Sequence, residues 1–494
     1  MTPAITFSEA CRDPNLFGPW YDGSSWDPWR VLHKALFGEA LNSDERRIFH
    51  DLTGRDEPPT EAATEAWFVI GRRGGKDVNA SALAVYLATI GAELFGYRKR
   101  LTRGERGVVQ LLAVDRDQAK VCLGYIRAFF EQPILKPLVN WKRSTAESIE
   151  LRSGIAIEIA TNDKRRVRGR TVIAAIFDEA AYWRSENSVN PDEETYRAVK
   201  PAMATIPGAM LIVISSPYAQ RGLVYKKFRA NWGKPGRVLV VRAPTWVMNP
   251  TLPRDGEFLT EAFNDDPAGA AAEFGAEFRT DVETFVAREA VEACVDIGVF
   301  ERPPLDGVTY SAFVDPSGGR SDAMTMCIAH KEGDAAIVDL VREVKPPFNP
   351  ENVCGDFSDD LRRYRCTTPS MDRYGAEWVR TAFQRHGIDA RAADKPKSDL
   401  YSDLLPPLNS GLMSLLDNPQ IVNQLASLER RTARGGRDSI DHAPGAHDDL
   451  ANAVAGAVHL VLKRVTKPFE WYVGKAEPYE GEPIENLSSW RALR

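Results

Sequence analysis

A glycine-rich turn and two groups of acidic residues are the parts of this sequence whose types and spacing can do chemistry. Residues 67–70, Trp-Phe-Val-Ile, run straight into Gly71-Arg72-Arg73-Gly74-Gly75-Lys76-Asp77, and an alanine-rich helical pattern follows through Ala80, Leu83, Ala84 and Leu87. A strand, a glycine turn and a helix start, in that order, surround an anion with backbone N–H groups and the positive end of a helix dipole, and Lys76 then reaches the β and γ phosphates of a nucleotide. Glycine is needed because a Cβ would block close approach of the phosphate. The spacing departs from the usual loop. Three residues (Arg72, Arg73, Gly74) separate Gly71 from the Gly75-Lys76 pair, and Asp77 stands where Ser or Thr normally serves Mg²⁺. Taken alone, the run is also compatible with a solvated turn.

A second element strengthens the nucleotide reading. The apolar run 172–177 delivers Asp178 and Glu179, at the edge where open α/β sheets bind ligands. Two adjacent acids there suit ATP hydrolysis: Asp178 for the Mg²⁺ shell and Glu179 to orient and deprotonate the attacking water. The bland alternative is a strand ending in a solvated acidic turn. A third apolar run, 210–214, delivers Ser215-Ser216-Pro217, small hydroxyls placed to sense the γ-phosphate, or simply a Ser-Pro turn closing a core strand. Arg72 or Arg73 is a further candidate phosphate sensor.

The second acidic group is spread through the later half. Asp315 closes an apolar run before Pro316-Ser317-Gly318-Gly319, Asp372 follows Thr367-Thr368-Pro369-Ser370-Met371, and Asp448-Asp449 opens the last helical pattern. Phosphodiester hydrolysis by two Mg²⁺ or Mn²⁺ ions about 4 Å apart needs three or four carboxylates converging from different elements. A β-meander followed by helices, with acids on the first strand, a later strand and the last helix, is the order of RNase H-like nucleases. Individually, Asp315 reads equally as a turn residue and Asp448 as a helix cap, and capping is compatible with metal binding. His442 and His447 lie near enough for proton transfer, although exposed loop histidines are commoner and neither is assigned as a ligand.

These residues require elements to hold them. Residues 1–60 read as a helical, polar segment, with Trp26-Asp27-Pro28-Trp29 opening a run through Leu32, Leu36, Phe37 and Leu41. Strands at 67–71, 108–114, 171–178, 210–215 and 238–241 alternate with helices, which predicts an α/β domain with a mostly parallel sheet over 61–243. A linker with helical connection is expected over 244–305, ending at Arg302-Pro303-Pro304. Three strands at 310–315, 323–330 and 335–341 form an antiparallel meander opening an α/β nuclease domain, 306–465, and 466–494 read as a tail. In the final helix, Ala451, Ala453, Ala455 and Ala457 permit close packing on a sheet, which brings Asp448 and Asp449 to the strand ends.

Composition sets the outer limits. At 494 residues, two principal domains are expected. A net charge of −6 argues against a protein that coats nucleic acid over its whole surface and leaves room for a local basic track. Arg98-Lys99-Arg100 with Arg103, and residues 164–170, Lys-Arg-Arg-Val-Arg-Gly-Arg, are the two basic runs. Either touches DNA phosphates, supplies an arginine to a neighbouring subunit's ATP, or is a solvated face. Six cysteines scattered singly suggest neither disulfides nor structural zinc. No apolar run approaches the roughly 20 residues of a membrane span, and the N-terminus lacks signal-peptide regions, so a cytosolic location is expected.

In order and spacing, these motifs resemble the large terminase subunits of tailed double-stranded DNA bacteriophages. The features that carry the likeness are the Gly-Arg-Arg-x-Gly-Lys loop of 71–76, Asp178-Glu179-Ala180, Ser215-Ser216-Pro217 and the Asp448-Asp449-x-x-Asn452-Ala453 helix start, with Asp117-Gln118-Ala119 and Glu277-Phe278-Arg279 between them. It spans most of residues 26–463. The resemblance implies a P-loop ATPase of the additional-strand, catalytic-glutamate type joined to an RNase H-like nuclease. ATP with Mg²⁺ would be cradled by Gly71 to Asp77. Lys76 would bind phosphate, Asp178 would serve Mg²⁺, Glu179 would be the base, and Ser215 and Ser216 would couple hydrolysis to movement. Asp315, Asp372, Asp448 and Asp449 would hold two divalent cations, Mg²⁺ or Mn²⁺. The implied partners are double-stranded DNA, the portal protein of a procapsid and a small terminase subunit. The implied assembly is a homo-oligomeric ring, typically of five subunits, docked on the portal in the bacterial cytoplasm; a monomer in solution is compatible with it. Two other readings compete: a helicase-like or repair ATPase-nuclease, and a non-catalytic portal-docking assembly protein, for which Asp77 is the one hint.

Overall fold

Apolar runs buried on both faces build the first sheet. The computed structural model describes residues 5–161, 169–184, 190–320, 322–373, 376–432 and 438–463. Its first seven strands are β1 (Glu65–Ile70), β2 (Gly107–Ala113), β3 (Ser148–Glu150), β4 (Ile155–Thr161), β5 (Thr171–Asp178), β6 (Met210–Ser215) and β7 (Val238–Ala243), in the order β3-β4-β2-β5-β6-β1-β7. All neighbours are parallel except β3 against β4. Because β6 lies between β1 and β5, the carboxyl ends of these three strands sit side by side, with Val69 opposite Ser215 and Asp178 opposite Ile214.

The N-terminal segment shares the core of this sheet. Its main helices are Asp27–Leu36 and Ser43–Thr53, the second opened by a reciprocal cap between Asn42 and Glu45 with both bonds at 2.9 Å. Trp29, Leu32 and Leu36 are buried in one cluster with Phe68, Ile70 and Leu83. This packing fixes the segment against the glycine turn as well as the sheet.

The second half carries β8 (Val282–Thr284), β9 (Val295–Asp296), β10 (Tyr310–Asp315), β11 (Met324–Glu332), β12 (Ala335–Val344), β13 (Ser370–Met371), β14 (Arg391–Ala392), β15 (Met413–Leu416), β16 (Leu428–Thr432) and β17 (Asp438–His442). One seven-stranded sheet runs β14-β13-β10-β11-β12-β15-β9, and a small antiparallel sheet runs β17-β16-β8. The antiparallel meander β10-β11-β12, flanked by β13 parallel to β10 and β14 parallel to β13, is an RNase H-like arrangement. The helix Asp449–Lys463 lies across it, with Ala451, Ala453, Ala455 and Ala457 fully buried.

The structure changes several expectations. β3 and β4 were not foreseen, although Ile155, Ile157 and Ile159 alternate with small or polar residues as a strand should. Residues 244–305, expected as a linker with helical connection, carry the helices Thr245–Met248, Glu257–Asp265 and Pro267–Glu273 and then the strands β8 and β9. There β8 pairs with β16 and β9 with β15, because two or three residues of extended chain suffice to extend an existing sheet edge. The basic residues 164–168 and the tail 466–494 lie outside the described residues, whereas Arg98, in the other basic run, pairs with Glu93 at 3.2 Å. All six cysteines are free and buried, and among the described residues no helix is long and apolar enough to cross a membrane.

The halves meet through a buried carboxylate. Glu429 on β16 is fully buried and accepts hydrogen bonds from Tyr218 Oη and Arg221 of the first half, with Arg431 of its own strand 3.3 Å away. Arg221 also donates to Thr284 Oγ1 on β8 at 3.3 Å.

Gly456 sets how closely the last helix approaches its sheet. A Cβ there would fall 2.2 Å from the Phe313 ring on β10. Gly456→Ala should therefore cost about 1–3 kcal/mol, from overpacking offset only partly by better helix propensity. Urea unfolding should show the second half losing stability; an unchanged transition would mean that the helix does not press on Phe313.

Candidate functional site

The glycine turn is anchored through both N–H and carbonyl groups. Gly71 N donates to Ala243 O of β7 at 3.0 Å, Thr245 Oγ1 to Arg72 O at 2.7 Å, Asn249 Nδ2 to Arg73 O at 3.1 Å and Trp29 Nε1 to Gly74 O at 2.8 Å. Two positions of the turn require glycine. A Cβ on Gly71 would meet Thr245 Oγ1 at 2.4 Å, and Gly75 has φ +81°, in the left-handed region. The helix Lys76–Ala88 then starts without a side-chain cap. Its first-turn N–H groups have no intrahelical acceptor, which makes this helix end a place for an anion.

The side chains around the turn converge. Lys76 Nζ lies 2.7 Å from Glu179 Oε1, with the lysine side chain 6% exposed and the glutamate 17%. The other carboxylate oxygen of Glu179 accepts from Ser216 N at 3.1 Å and faces Ser215 Oγ at 3.2 Å and Ser216 Oγ at 3.4 Å. Glu179 itself has φ 50°, an unfavourable conformation for a residue with a Cβ, and its N–H is tied to Ile214 O at 2.8 Å. Lys76, Glu179, Ser215 and Ser216 are thus in one network.

Asp178 and Asp77 supply further negative charge. Burial, then the neighbouring Glu179 and Asp77, push the Asp178 carboxyl up to about 8, against the pull of Lys76 and a hydrogen bond with Gln118. Asp178 Oδ1 is buried without a hydrogen-bond partner among the described residues. Burial also raises Asp77, with Lys76 opposing, and Lys76 is raised despite its burial by Glu179, Asp77 and Asp178. An orphaned buried oxygen beside two more acids fits a cation such as Mg²⁺. Arg72 pairs with Glu273 at 3.3 Å, and Arg73 holds a left-handed φ of 66°.

The second acidic group gathers around the start of the last helix. Asn452 Nδ2 donates to Asp315 Oδ2 at 2.8 Å and to Asp372 Oδ2 at 3.0 Å, so one amide joins the ends of β10 and β13. Asp315 is raised well above the usual carboxylate range by burial and by Asp449, Asp372 and Asp448, with Asn452 opposing. Asp449 is raised to about 6 by burial and Asp448, with His447 opposing. Asp448 accepts from Tyr401 Oη at 2.7 Å and lies 3.0 Å from Lys397 Nζ. Carboxylates crowded until protons are favoured fit divalent cations, which relieve the same repulsion.

Among the described residues, the tight group of possible metal donors is Asp441, His442 and Asp448, within 4.8 Å of one another. The expected four acids are drawn together more loosely, Asp315 and Asp372 through Asn452, and Asp448 towards β17. His447 Nδ1 is 4.0 Å from Asp449 Oδ2, and His442 Nδ1 sits 2.9 Å from Ala443 O. Gln118, Trp29, Lys397, Tyr401 and Asp441 were not singled out as site residues from the sequence. For Gln118 the helix start after β2 was a usable signal; the others reach their sites only through long-range packing.

One family model agrees with the P-loop architecture of the first half. Residues 38–276 match the family described as "Uncharacterized protein MJ0330, N-terminal P-loop domain". No curated protein matches the chain. Among solved structures, the chain is similar to the large terminase of bacteriophage HK97, at 15% identity over 88% of this chain and 99% of that one, with a TM-score of 0.36. It is similar to a single-residue mutant of the large terminase ATPase domain of Thermus phage P74-26 at 19% identity, over 50% of this chain and 98% of that one, with a TM-score of 0.35. It is also similar to the large terminase nuclease of thermophilic phage G20c at 12% identity, over 34% of this chain and 94% of that one, with a TM-score of 0.30.

Proposed function

We propose that this chain is the motor and nuclease subunit of a viral DNA-packaging machine of the large terminase kind. ATP hydrolysis in the first half drives double-stranded DNA into a procapsid, and the second half cuts the concatemer. The observation that carries the reading is the pairing of two chemically different sites on two seven-stranded sheets of one chain. One is a lysine–glutamate network at a glycine turn, and the other a set of crowded aspartates at a meander.

In the ATPase half, the nucleotide phosphates displace Glu179 from Lys76, since the ammonium cannot serve both anions fully. Released from Lys76 and still facing Ser215 and Ser216, Glu179 orients and deprotonates water. Asp178, with Asp77 beside it, holds the Mg²⁺ that accompanies ATP. The hydroxyls of Ser215 and Ser216 couple the position of Glu179 to the turn that continues to Tyr218 and the second half. In the nuclease half, Asp315, Asp372, Asp448 and Asp449 hold two divalent cations, which when bound supply Lewis acidity towards the scissile phosphate. Asn452 fixes the relative orientation of Asp315 and Asp372. Double-stranded DNA, the portal protein and a small terminase subunit are the partners, and a ring docked on the portal in the bacterial cytoplasm is the working assembly.

Separate sites make separable variants. Glu179→Ala should reduce DNA-stimulated ATP turnover by more than about a hundredfold while leaving plasmid cleavage in Mn²⁺ near wild type, and Asp315→Ala should do the reverse. Loss of both activities in either variant would count against two independent sites. Forked DNA should not be unwound; strand separation would favour a helicase instead.

The aspartate group also predicts a pH effect. Asp449 has a folded pKa of about 6 against roughly 4 unfolded, so the folded state binds more protons between these values. This group's contribution to metal-free stability should therefore be lost as pH rises from about 4 to about 6, by up to ~3 kcal/mol, and the raised carboxyls of Asp178 and Asp315 continue the fall above pH 6. Mn²⁺ should raise the melting temperature more at pH 7 than at pH 5. Equal shifts at both values would mean that these acids do not bind the ion.

A further inference from the structure

Lys397 opens the helix Lys397–Ser410 and points its ammonium between two acids, 2.8 Å from Asp441 Oδ1 and 3.0 Å from Asp448 Oδ2. Asp441, His442 and Asp448 place their donor atoms within 4.8 Å of one another around this position. The geometry is fixed from both sides. One turn along the same helix Tyr401, fully buried, donates to Asp448 Oδ2 at 2.7 Å, and next to Lys397 the Ser398 hydroxyl accepts from Ile440 N on β17 at 2.9 Å. The ammonium therefore stands where two carboxylates of separate elements would otherwise repel each other across a short gap. Its side chain is 30% exposed, so the ammonium has solvent to move into.

We propose that Lys397 is a further positioning residue of the nuclease site, a tethered cation that holds Asp448 and Asp441 in place and competes with the divalent ion for Asp448. The inference rests on the nuclease reading above, in which Asp448 is a metal ligand. A positive charge a few ångströms from the site lowers the affinity for a second cation, and its release is part of metal binding. Lys397 thus sets the metal concentration at which the nuclease becomes competent. Asp441, which shares the ammonium with Asp448, gives it a place to stay near the site after Asp448 has turned to the metal.

The test is Mn²⁺ titration of the full chain by calorimetry, with Mn²⁺-dependent plasmid cleavage alongside. Lys397→Met removes the charge and the hydrogen bonds, and Lys397→Gln removes the charge while keeping a donor. Both should bind Mn²⁺ about tenfold more tightly than wild type and reach half-maximal cleavage at correspondingly lower Mn²⁺. Lys397→Arg, with its charge kept, should stay within about twofold of wild type. Thermal melting of each variant identifies loss of fold, and the two neutral variants provide independent readings. Unchanged or weaker Mn²⁺ binding in a folded neutral variant overturns the role of Lys397 and leaves the nuclease assignment standing. No Mn²⁺ binding by wild type, with cleavage unaffected by Asp315→Ala, overturns both.

Discussion

Everything in the first half depends on bringing one lysine and one glutamate to the same point from strands that are not neighbours in sequence. β1 leads into Lys76 and β5 into Glu179, and parallel pairing through β6 puts both at one edge of the sheet. The N-terminal segment, the helices after β7 and Ser215-Ser216 then serve this contact. Trp29, Asn249 and Thr245 take up the carbonyl groups of the glycine turn, and the two serines face the remaining oxygen of Glu179. The backbone at Glu179 is held in a left-handed conformation by these bonds, which a relaxed turn would not adopt.

The two sites manage negative charge differently. Around Asp178, a buried lysine sits among three acids, and one carboxyl is still driven up to about 8. Around Asp315, an amide rather than a cation joins two carboxylates, and the nearby cation, Lys397, is spent on Asp448 and Asp441. The first arrangement suits a site that takes up an anion carrying its own cation. The second suits a site that takes up cations and then an anion.

What could be read in the sequence was local. The glycine turn, the acid pair after β5, the serines after β6 and the helix of 449–463 each lie within one strand-to-loop passage or one periodic run; the first three stand at the carboxyl ends of β1, β5 and β6, and the helix lies across β10, β11 and β12. The short strands β8, β9 and β14 carry too few residues to show a period, and they exist because an edge was already there to pair with. Lys397, Tyr401 and Asp441 have no motif. They reach Asp448 because the helix Lys397–Ser410 packs beside the last helix and β17, a tertiary outcome that periodicity does not encode. Asn452 was visible in the motif, but its task of joining Asp315 to Asp372 was not.

The buried Glu429 has a consequence for how the halves can move. Its carboxylate is shared by Tyr218 and Arg221, only a few residues beyond Ser215 and Ser216, and stranding such a charge without partners costs about 3–5 kcal/mol. The sheet of β8, β16 and β17 is therefore riveted to the turn after β6, and any swivelling of one half against the other that opened this seam would strand the charge. Any hinge must fall in chain that crosses elsewhere, and the seam acts as its fulcrum.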